Sequence, residues 1–146
     1  MSQSDVFNAA LLDLIFLGIS IATIADDAAD YPATEYYLSL HEADPTPAGG
    51  QTAFEASYGD YARIPITRDG AGFVRTDSVV NFFADMLFPA VGSGSGVYTH
   101  FGIGLESSGV GDLLYSGPIT PNITVGVGQQ PKLTTDTAIQ FVPYGE

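Results

Sequence analysis

The chain has 146 residues, 45% of them from the apolar and aromatic set, enough for one domain with a real core. Only 14% are charged, and seventeen acids against four bases leave a net charge of −13. That field repels phosphates, so direct DNA or RNA binding is excluded as a function class. Cysteine is absent, which removes disulfides, thiolate metal sites and Cys nucleophiles. A surface this poor in charge, with positive mean hydropathy, predicts burial by partners, and the 17 Tyr and Phe residues point to a homo-oligomer, trimer or dimer.

From the N-terminus, Phe7, Leu11, Leu14, Ile15, Gly18 and Ile21 recur at spacings of three and four, so a helix with one apolar face is predicted, mainly within residues 5–20. Gly18 and the β-branched Ile19, Ile21, Thr23 and Ile24 weaken its second half. Phe7, Leu11, Leu14 and Ile15 are the candidate interface residues, on an arm (residues 1–34) whose removal up to residue 20 is expected to leave a folded domain. The most apolar run, Leu14 to Ala25, is 12 residues between Asp13 and Asp26, too short for a membrane span. Met1 to Asp13 lacks the basic residues of a secretory signal. No membrane association is expected, and the chain is expected to be made in the cytoplasm.

After Pro32, short β-rich runs alternate with Gly, Pro, Ser and Asp clusters. Strands are predicted at Tyr36–His41, Ala62–Thr67, Val79–Phe83, Val97–Leu105, Leu113–Ile119, Ile123–Val127 and Thr137–Val142, with Gly117-Pro118 closing the fifth. The expected class is mainly β: an antiparallel β-sandwich or jelly-roll-like domain over residues 35–146, with an N-terminal helix or arm.

Catalytic signals are weak. A Ser–His–acid triad must use one of the two histidines, His41 or His100, and no nucleophile elbow accompanies either. His41-Glu42-Ala43-Asp44 begins like a zinc-protease motif, but no His follows at i+4 and Pro45 forbids a continuing helix. Asp26, Asp27, Asp30 and Glu35 lack the glycine and spacing of a calcium loop, and a solvated acidic connector is the expectation. Gly102-Ile-Gly104 sits between strands without a lysine, so packing glycines are expected rather than a nucleotide loop. No catalytic residue, metal or cofactor is therefore predicted. Arg63, one cation among many acids, is expected to pair with a carboxylate.

The segments YLSLHEADP (37–45), YGDYARIPITR (58–68), FP (88–89), THFGIG (99–104) and LLYSG (113–117), in that order, resemble a family of small tailed-phage virion proteins. NAALLDLIF and IADDAA resemble its N-terminal region. The resemblance implies a non-enzymatic β-domain on a virus particle. Repulsion from packaged DNA places it outside the shell, and the lack of a shaft together with the apolar arm favours a capsid decoration (cement) protein on the outer surface, bound to the major capsid protein. The alternatives are a tail or neck appendage, or a carbohydrate-binding module, which would adsorb to the host through loop residues such as Tyr58, Asp60 and Tyr98.

Overall fold

The computed structural model describes residues 5–20, 33–45 and 50–140. In chain order the elements are α1 (Asp5–Leu12), running into a π-helical turn (Asp13–Leu17), then β1 (Glu35–His41), β2 (Ile64–Thr67), β3 (Phe73–Thr76), β4 (Val79–Phe82), β5 (Met86–Leu87), β6 (Gly96–Gly104), β7 (Leu113–Val125), β8 (Lys132–Leu133) and β9 (Ala138–Gln140). The protein is mainly β, with antiparallel sheets and a short N-terminal helix. Its contacts divide into two compact units. Unit 1 holds residues 1–34, 67–85 and 134–146, and unit 2 holds 35–66 and 86–133.

In unit 1, β3, β4 and β9 form a three-stranded sheet in that order. The β3–β4 hairpin turns at Asp77, which takes a left-handed φ of 54°. Phe73, Val80 and Phe82 are buried. Phe16 meets Phe73 edge-on at 5.0 Å between ring centres, and Phe73 lies 6.1 Å from Phe82. The helix ends at Gly18, whose φ of 66° suits a residue without a side chain. Arg68 then satisfies the orphan carbonyls of that end, donating to the oxygens of Leu14 and Ile15. Arg75 pairs with both carboxylate oxygens of Asp13.

This changes which face of the helix is buried. Leu12 and Phe16 are fully inside, whereas the predicted interface residues Leu11, Leu14 and Ile15 are only half-buried. The π-helical turn admits an extra residue and rotates the downstream side chains away from a regular 3.6-residue stripe. The side chain of Phe7 and the predicted Ile21 lie outside the described residues. Deleting residues 1–20, expected from the sequence to leave a folded domain, would remove the buried Leu12 and Phe16 and the partners of Arg68 and Arg75.

In unit 2, the four-stranded sheet has the order β2-β1-β6-β7, and β5 pairs with β8. β1 and β6 pair in register Tyr37↔Gly104, Ser39↔Gly102 and His41↔His100. Simple alternation along β1 fails because Leu38, Ser39, Leu40 and His41 are all buried, so both faces of this central strand are covered. The two predicted strands at Leu113–Ile119 and Ile123–Val127 are one long edge strand, β7. Pro118 and Pro121 lie within it, since at an edge a missing N–H need not remove a ladder bond. β3, β5 and β8 were not anticipated.

Replacing Phe16 with alanine should cost about 3–5 kcal/mol, as for other buried aromatics. Leu14→Ser, at a half-buried site, should cost clearly less. Urea melts of both variants check this, and equal losses would contradict the burial assignment.

Candidate functional site

The chemistry-bearing residues of unit 2 converge where two loops meet. The first, after β1, holds Gln51 to Glu55. The second is the β6–β7 hairpin loop, closed by Leu105 N donating to Asp112 O at 3.3 Å. Gly50 and Asp112 form a bridge between them, and Gln51 N donates to Gly111 O at 2.9 Å.

Two buried side chains bind these loops together. Gln51, fully buried, accepts from Glu106 N at 2.9 Å and donates to Glu106 O at 3.3 Å. Its place exists because β6 carries glycine opposite it: a Cβ on Gly104 would come within 2.1 Å of Gln51 Cδ. Arg63 does more. Its guanidinium donates to both carboxylate oxygens of Glu55, at 2.6 and 2.8 Å, and to the carbonyls of Glu106 and Gly109, each at 2.8 Å. Its side chain is 2% exposed and that of Glu55 14%. Hydrogen bonding to Glu55 is the main reason the guanidinium pKa stands above its ordinary value. Taking one partner from a pair this buried strands the other, at a cost of about 3–5 kcal/mol. The expected carboxylate partner of Arg63 is thus Glu55. Tyr61 completes the cluster: its hydroxyl donates to Glu55 at 3.0 Å and accepts from Leu40 N at 3.2 Å. Burial, more than the neighbouring Glu55, drives its phenol pKa up.

Beside this cluster, His41 and Ser39 share one face of β1. His41 Nδ1 lies 2.8 Å from Ala53 O, and Nε2 lies 2.8 Å from Ser39 Oγ. A carbonyl only accepts, so Nδ1 carries the proton and Nε2 of the neutral ring accepts from the Ser39 hydroxyl. Gly102 makes the space, since a Cβ there would sit 2.7 Å from His41 Nε2 and 2.9 Å from Ser39 Oγ. A serine–histidine pair does exist, but both residues are 0% exposed and the third group is a carbonyl, not a carboxylate. The arrangement orders the core and presents no nucleophile to solvent. Gly102 and Gly104 serve close strand packing, as their sequence setting suggested.

Two of the loop residues assigned to host adsorption are placed differently. Tyr58 and Tyr98 are buried. Tyr58 donates to Pro89 O at 2.8 Å, and burial pushes its phenol up to about 12. Asp60 is exposed, with a left-handed φ of 74°. What unit 2 does expose at the tied loops is Phe54, Leu105 and Val110. Sequence reasoning missed all three: Phe54 and Val110 stand alone in loops without periodicity, and Leu105 was read as the last residue of a strand that ends at Gly104. Among the described residues no group of three or more His, Cys, Asp or Glu is arranged to hold a metal ion. Asp26, Asp27 and Asp30 lie outside them. No described helix is long and apolar enough to cross a membrane.

A protein-family model described as "Podophage GP4 fiber I protein gp80" matches residues 2–139. No curated protein matches the chain.

His41 gives a test of the buried polar chain. Burial is the main cause holding its imidazole below the ordinary value of 6.5, outweighing the Ala53 carbonyl and Glu55, which act the other way. The unfolded chain therefore takes up this proton at a higher pH than the folded one. Its contribution to stability is whole above about pH 6.5 and is lost as pH falls below that, towards the depressed folded value. Melting temperature should fall between about pH 7.5 and 5.5, and His41→Gln should flatten that slope. An identical slope in the variant would contradict the assignment.

Proposed function

The chain belongs to the podophage GP4 fiber I protein gp80 family, and from that premise we propose that it is a non-enzymatic structural subunit of a fibre-type appendage on the outside of a phage particle. The observation that carries this reading is the family match over residues 2–139, nearly the whole chain. The family description favours a fibre over the capsid cement role expected from sequence. The net charge of −13 supports an external position, away from packaged DNA. The burial of Ser39 and His41, with His41 Nδ1 held on the Ala53 carbonyl, supports a role without catalysis. Several copies assemble together in this reading, with no metal or cofactor.

One observation favours a second reading. Leu11, Leu14 and Ile15 remain half-exposed on the helix of unit 1. Residues of that kind suit a clamp on the major capsid protein, the decoration role.

Gold-labelled antibody on intact particles separates the two readings. A fibre subunit places the label at appendages, and particles without the protein should keep their resistance to heat and osmotic shock while adsorbing poorly to hosts. Label spread evenly over heads, with fragile capsids and normal adsorption in its absence, would overturn the fibre reading in favour of decoration.

A further inference from the structure

The tied loops of unit 2 hold three large apolar side chains in water. Val110 is 83% exposed, Phe54 57% and Leu105 37%. Each sits beside a fixed point. Phe54 adjoins Glu55, Val110 adjoins Gly109, and Leu105 adjoins Glu106, all three of which bond to the one Arg63 guanidinium. Phe54 also holds a left-handed φ of 54°, uncommon for a bulky residue, with its carbonyl accepting from Glu42 N at 2.8 Å. A rigid backbone that displays apolar side chains loses little entropy when they are covered, which is the condition for a pre-organised contact.

The charges beside this surface indicate what covers it. Glu42, Glu106 and Asp112, neighbours of the three apolar residues in chain or by hydrogen bond, are exposed, while Arg63 is turned inward. A second copy of the chain is a poor match: it has only four cations, and its three arginines are bonded within their own units. We propose that Phe54, Leu105 and Val110 dock a different protein of the particle, one whose contact patch is apolar and rimmed by lysine or arginine. The acidic flanks then steer the encounter and the apolar centre holds it.

This inference rests on the virion reading, and the experiment separates the two. Purified full-length chain is added to purified particles assembled without it, and bound protein is measured against concentration. Val110→Asp alters a side chain almost wholly in solvent. Phe54→Asn keeps a residue that tolerates the left-handed backbone, so folding is retained. Each variant should bind at least tenfold more weakly with an unchanged melt, and raising salt from about 50 to 500 mM should weaken wild-type binding. Wild-type binding that neither variant reduces, or that salt leaves unaltered, overturns this docking surface while leaving the virion reading standing. Light scattering that shows a wild-type oligomer dissociated by either variant makes the occupant a second copy and overturns it equally. Failure of the wild-type chain to bind any particle sinks the virion reading and this inference with it.

Discussion

One guanidinium organises unit 2. In a chain with only four bases, Arg63 places its charge almost wholly out of water, where an unmatched cation would be costly. The carboxylate of Glu55 balances the charge, and the carbonyls of Glu106 and Gly109 take further N–H groups. Those acceptors come from two loops far apart in sequence. Satisfying one side chain therefore fixes both loops, and the conformations of Phe54, Leu105 and Val110 follow from it.

The same economy runs through the central sheet. β1 is covered on both faces, so its polar residues had to be accommodated rather than exposed. Glycines at 102 and 104 remove side chains from the facing strand, and Ser39, His41 and Gln51 fill the volume with hydrogen bonds that close among themselves and onto backbone. A methyl at either position would intrude on that network. Conformational uniqueness here comes from polar groups that fit one arrangement, beside an ordinary apolar core of Leu38, Leu40, Phe88 and Ile103.

Much of this was legible in the residues. The β-rich runs Tyr36–His41 and Val97–Leu105, set off by turn residues, mark β1 and β6, the scarcity of cations marks Arg63 as paired, and strand context marks Gly102 and Gly104 as packing positions. On the helix, the spacing marked Leu11, Leu14 and Ile15 but passed over Leu12 and Phe16, the two side chains fully buried there, and nothing in Asp13–Leu17 announces a π-helical turn. The short strands β3, β5 and β8, of four, two and two residues, carry too little pattern to stand out from loops. Tyr58 and Tyr98 looked like binding residues because exposed aromatics often are, although Tyr98 lies on β6. Their burial depends on long-range packing: Tyr58 lies 6.1 Å from Tyr98, 40 positions away. Phe54 and Val110 are exposed by the converse effect, a backbone held open by hydrogen bonds from elsewhere.

The central claim is that Arg63 couples the two loops mechanically. Hydrogen exchange on Arg63→Lys measures this directly, because an ammonium cannot reproduce four simultaneous bonds from a planar fork. The amides of residues 51–56 and 105–112 should both lose protection in the variant, while those of Ser39 and Gly102, paired in the β1–β6 ladder, retain theirs. Unchanged exchange in both loops, or loss confined to one of them, would contradict the account.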